Sequence, residues 1–83
     1  MDTRIALISI IVTDAEAVDS LNALLHDYRE YIIGRMGLPY SKKGVNIISV
    51  AVDAPQEKRS ALSGKIGRLS GVFSKTIYAD NRI

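Results

Sequence analysis

His26 is the one histidine of an 83-residue chain, and it stands beside Asp27 with Glu30 four positions on. A lone imidazole among helical carboxylates does not make a transition-metal site, so His26 reads as a solvated helix residue. The chain has no cysteine, which removes disulfides, thiolate nucleophiles, iron–sulfur ligation and cysteine–zinc sites together. Gly64-Lys65-Ile66-Gly67-Arg68 carries a GK pair and a G-x-x-G. It fails as a phosphate loop because Ile66 occupies the position that needs a magnesium-binding hydroxyl. As a nucleic-acid clamp of the KH type it has two basic residues around the glycines, but such a clamp joins two helices. The competing reading is a face of small residues, Ser60, Gly64 and Gly67, for close packing. Arg35, between Gly34 and Gly37 with Tyr40, Lys42 and Lys43 downstream, could hold a small carboxylate or phosphate, or could be an outward charge that protects a sheet edge. Asp14 and Asp53 stand where apolar runs give way to helical patterns, as helix caps do. No Ser/His/Asp set, paired carboxylates or activated lysine is visible, so catalysis, metal and cofactor are not expected.

The elements that would position these residues follow from periodicity. Arg4–Val12 is β-branched and apolar on both alternating faces, the pattern of a central strand covered on both sides. Thr13-Asp14-Ala15-Glu16 then spells a T-x-x-E capping box, and Ala17, Val18, Leu21, Leu24, Leu25 and Tyr28 make one helical stripe. Tyr31–Leu38 is a weaker strand; its glycines and the following Pro39 suit a sheet edge. A polar connection ending in Gly44 leads into Val45–Val52, the second run apolar on both faces. Asp53 and Pro55 announce a second helix to about Leu69, with Ala61, Leu62, Ile66 and Leu69 inward. Gly71 ends it, and Val72–Tyr78 is the last strand.

The order β-α-β-β-α-β, joined by right-handed crossovers, interleaves into an α+β, ferredoxin-like domain spanning residues 1–83. It is a four-stranded antiparallel sheet with two helices on one face and strands one and three in the middle. Two helices cover one face only. In strand one, Ile5, Leu7 and Ile11 oppose Ala6, Ile8, Ile10 and Val12; in strand three, Val45, Ile47 and Ala51 oppose Ile48, Val50 and Val52. An isolated chain would therefore leave a contiguous aliphatic patch in water, which monomers rarely do. Ile5, Leu7, Ile11, Val45 and Ile47 are the expected oligomer interface, in a dimer or tetramer.

Composition narrows the setting. Eleven basic against nine acidic residues leave a net charge of +2, too little to imply a polyanionic partner. The longest uninterrupted apolar run is Ile5-Ala6-Leu7-Ile8, far below the ~20 residues of a membrane span. No basic-then-apolar leader is present, so the cytoplasm is the expected compartment.

Three segments carry a family likeness: Tyr31-Ile32-Ile33-Gly34-Arg35-Met36-Gly37-Leu38-Pro39-Tyr40, Asn46-Ile47-Ile48-Ser49-Val50, and Ala61-Leu62-Ser63-Gly64-Lys65-Ile66-Gly67-Arg68-Leu69-Ser70-Gly71-Val72. With them the chain resembles the iron-only hydrogenase system regulators, small ACT-like domains related to the effector domain of nickel-responsive repressors. The metal ligands of those repressors are missing here, since there is one histidine and no cysteine. The resemblance implies a homo-oligomeric regulatory domain that senses a small effector or binds a protein of the hydrogenase system. Asp14, Arg35 and Tyr40 are the polar groups expected to line a crevice between subunits. The alternative is a nucleic-acid-binding module using Lys65 and Arg68 of the G-x-x-G segment.

Overall fold

Each run of β-branched residues forms a strand, and each 3.6-residue apolar stripe forms a helix. A computed structural model describes residues 2–80 and 83, with the elements β1 (Arg4–Val12), α1 (Ala15–Asp27), a 3-10 turn (Arg29–Tyr31), β2 (Ile32–Tyr40), β3 (Val45–Ala54), α2 (Gln56–Gly67) and β4 (Val72–Tyr78). The strands form one antiparallel sheet in the order β2-β3-β1-β4, the ferredoxin-like arrangement expected. The two strongest apolar strands are the two central ones. β2 runs on to Tyr40, past Pro39, and tolerates that proline because it is an edge strand; a register shift lies between Ile32 and Gly34.

The core lies between the sheet and both helices. Ala6, Ile8, Ile10 and Val12 of β1 and Ile48, Val50 and Val52 of β3 are buried against Ala17, Leu21 and Leu25 of α1 and Leu62 and Ile66 of α2. Ile8, Leu21, Val50 and Ile66 are wholly inaccessible, so trimming any of them would leave an unfilled cavity. Tyr28 closes one end of this core. Its ring lies 5.2 Å from the Lys65 ammonium, which also donates to its hydroxyl oxygen at 3.0 Å. α2 contributes an unexpected third inward residue, Arg59, with its guanidinium 5.7 Å from the centre of the Tyr78 ring. Its Nε and Nη1 have no hydrogen-bond partner among the described residues; the aliphatic stem supplies packing that the weak stripe of α2 lacks.

Of the two caps the sequence offers for α1, Asp14 is used and Thr13 is not, and the cap expected at Asp53 is absent. Asp14, not Thr13, caps α1, accepting from the Glu16 backbone N–H at 3.0 Å. Thr13 instead ties the two strand–helix junctions together: its N–H and its hydroxyl both donate to the Gly71 carbonyl, at 2.8 and 3.2 Å. Asp53 does not cap α2. β3 continues through it to Ala54, so it points from the sheet, and Pro55 holds the N-cap position without a side-chain acceptor. α2 ends at Gly67, two residues before the expected Leu69, because Gly71 and the Thr13 contact already pull the chain toward β4.

Two glycines need their freedom. Gly44 at φ 64° closes the β2–β3 turn, and Gly71 at φ 75° turns the chain out of α2. A Cβ on Gly71 would come within 2.5 Å of the Asp14 Cβ, whereas one on Gly67 would meet nothing nearer than the Ser74 hydroxyl at 3.9 Å. Gly71→Ala is therefore expected to cost about 1–2 kcal/mol from its left-handed backbone alone, and more from the clash. Gly67→Ala should raise stability by up to about 1 kcal/mol through helix propensity. Urea unfolding of the two variants checks the opposite signs; equal effects would discount the junction.

Candidate functional site

The helices bury one face of the sheet and leave the other bare. Directly paired residues share a face, so the registers of β2, β3, β1 and β4 define rows across the bare side. Leu38, Ile47, Ile11 and Phe73 form one row; Met36, Ser49, Ser9 and Lys75 form the next; Gly34, Ala51, Leu7 and Ile77 form the third. Tyr40 and Val45 pair beyond the first row, and Asp53 and Ile5 beyond the last. The apolar members are exposed, from 39% for Leu7 to 66% for Phe73 and 73% for Met36. Ile5, Leu7, Ile11, Val45 and Ile47 all lie on this open face, Ile5 and Val45 half-buried. Met36 and Leu38 escaped sequence reasoning because the glycines and Pro39 of β2 hide its alternation. Phe73 and Ile77 carried a readable signal, two apolar residues four apart in a seven-residue strand.

The face is not flat. One shallow concavity of about 610 Å³ is lined by Ser9, Ile11, Ile47, Ser49, Phe73 and Lys75, among others. A second, of about 260 Å³, is lined by Leu7, Gly34, Arg35, Met36, Ser49 and Ala51. Ser49 borders both.

The three polar groups expected at a crevice stand apart within one chain. Tyr40 is on the open face at the end of β2. Asp14 caps α1 beside a depression of about 290 Å³ that includes Ser20, Leu69 and Ser70. Arg35 pairs with Val50, whose side chain is in the core, and its Nη2 donates to the Asn22 side-chain Oδ1 at 3.1 Å, linking β2 to α1.

Gly64-Lys65-Ile66-Gly67 is the last turn of α2, not a loop between helices. Ile66 is in the core, Lys65 is bound to Tyr28, and the Arg68 guanidinium lies over Gly64, 3.3 Å from where a Cβ would stand. The glycines thus face their own helix end; Ser60 and Gly67 are exposed, so no close-packed small-residue seam forms. His26 is exposed on α1, and its carbonyl accepts from Arg29 Nη1 at 2.9 Å. Among the described residues no three His, Asp or Glu side chains converge as metal ligands would, and no helix is long and apolar enough to cross a membrane.

The TM1266-like family model, described as "Iron-only hydrogenase system regulator, putative", matches residues 4–76. In three dimensions the chain is similar to the uncharacterized protein TM1266 from Thermotoga maritima, with 32% identity and a TM-score of 0.91 over 95% of this chain and 100% of that one. It is also similar to a formyltetrahydrofolate deformylase from Pseudomonas putida KT2440, with 18% identity and a TM-score of 0.58 over 92% of this chain and 28% of the enzyme. That second likeness shows a shared fold alone. No curated protein matches the sequence.

Asp14 can be separated into cap and charge. Asp14→Ala should lower stability by about 1 kcal/mol through the lost Glu16 N–H acceptor, while Asp14→Asn, an equally good cap, should change it little. Equal losses in thermal unfolding would show that the charge, not the cap, is what α1 uses.

Proposed function

The chain belongs to the TM1266-like family of iron-only hydrogenase system regulators, and from that premise we propose that it is a non-enzymatic regulatory module of the cytoplasm, a homo-oligomer joined through the open sheet face that senses a small effector or binds a partner protein of that system. The observation that carries this reading is the bare face itself. Seven large apolar side chains, Leu7, Ile11, Met36, Leu38, Ile47, Phe73 and Ile77, are exposed across all four strands. Burial of apolar surface at about 25 cal/mol per Å² makes such a patch an association surface. Regulation would work by population shift: a ligand held between subunits favours one arrangement to the extent that it binds that arrangement better. Tyr40 stands on the face that this assembly closes. Asp14 and Arg35 would reach an effector only where subunits also meet at the helix side.

Sedimentation equilibrium tests the assembly. The native chain is expected as a dimer or tetramer, and Ile11→Lys or Ile47→Lys, each placing an unpaired ammonium in the seam, should weaken association 100-fold or more, about 3 kcal/mol. Both positions are over 40% exposed in the single chain, so the circular-dichroism spectrum should be unchanged. A native protein that sediments as one chain at micromolar concentration would overturn the proposal.

A further inference from the structure

Of the three rows that cross all four strands of the open face, only the middle one is polar: there Ser49, Ser9 and Lys75 sit side by side on β3, β1 and β4. The Cβ atoms of directly opposed residues lie ~5 Å apart, so the three side chains leave the sheet along a line of about 10 Å, and the long lysine stem can bring its ammonium back toward the hydroxyls. Neither hydroxyl has a hydrogen-bond partner among the described residues, and Lys75 makes no ion pair with them. The helix-covered side differs: there Ser63 and Thr76 satisfy each other at 2.9 Å. Asp53, on the same open face as Lys75, is two rows along and two strands across, out of reach within the chain.

Closing this face takes the row out of water, and a buried polar group costs stability unless it is hydrogen-bonded, a charge more so. Lysine only donates, and a serine hydroxyl that donates needs an acceptor too. The row is short of acceptors. The surrounding concavity extends to Gly67, Val72 and Ser74, and beside the polar row it is walled by Ile11, Ile47 and Phe73, the mixture of apolar walls with a few convergent polar groups that small-molecule sites show. We infer that the Ser9–Ser49–Lys75 groove binds a small organic anion, a carboxylate on an apolar body. The carboxylate accepts from Lys75 Nζ and the two serine hydroxyls, and the body lies against Ile11, Ile47 and Phe73. This inference rests on the proposed pairing of sheet faces, because the second copy supplies the roof and seals the charge from water.

The test is a titration of 15N-labelled protein with sodium hexanoate, with 1-hexanol as the neutral analogue, and sedimentation equilibrium on the same samples. Saturable shifts are expected at the amides of Ser9, Ser49, Phe73 and Lys75. Lys75→Gln should weaken hexanoate about tenfold, the loss of one charge-assisted hydrogen bond, and leave hexanol unaffected. Lys42→Gln, the same change of charge on the β2–β3 turn, should alter neither. Shifts that do not saturate, that map elsewhere, or that persist with equal affinity in Lys75→Gln would overturn the site. An oligomer that fails to bind hexanoate would overturn the site and keep the assembly. A single chain that binds at those amides would keep the site and overturn the assembly, and a single chain that does not bind would overturn both.

Discussion

A sheet that is apolar on both faces with helices on only one side is the constraint from which the rest of this structure follows. Right-handed crossovers place α1 and α2 on the same side of the interleaved strands. The helices bury Ile8, Ile10, Val50 and Val52, and leave Leu7, Ile11 and Ile47 to water. Among the described residues no further helix or strand remains to cover that face.

Much of this was legible in the sequence because β1 and β3 are long runs apolar on both alternating faces, so one pass along Arg4–Val12 and Val45–Val52 assigns each side chain to a face. Gly71 was legible as a helix stop for a local reason, its left-handed backbone. The helix starts were not. Thr13-Asp14-Ala15-Glu16 offers two possible caps one residue apart, and the choice was made by the Gly71 carbonyl, a partner 58 residues away that no local pattern contains. Asp53 looked like a cap because it precedes a proline, but pairing with Ile5 holds it in the sheet. Tertiary hydrogen bonding overrode local preference in both cases.

The candidate site was legible in the opposite sense from usual. Of the residues with the most conspicuous chemistry, His26 is exposed, Lys65 is bound to Tyr28, and Arg35 borders the smaller hollow while its guanidinium is held by Asn22 of α1. The residues that stand together on the open face are quiet ones. Ser9 and Ser49 interrupt two otherwise aliphatic strand faces, and only the register between those strands shows that the interruptions coincide and that Lys75 extends them. Arg59 was missed because a charged residue at an inward helical position reads as a break in the stripe, when its stem in fact lies in the core.

The sheet order also dictates how the chain must assemble itself. β1, first of the strands along the chain, sits in the middle of the sheet and pairs only with β3 and β4. The single pairing between sequence neighbours is the β2–β3 hairpin, built around the Gly44 turn. Such non-local pairing must close long loops before it gains contacts, which slows folding relative to a helical bundle of equal size. During synthesis β1 waits with both edges unpaired until β3 leaves the ribosome, and the face it shares with β4 stays open until Tyr78 follows. The chain thus passes through a period in which the apolar sheet face and two strand edges are bare together, when capture by the wrong neighbour competes with completion of the fold.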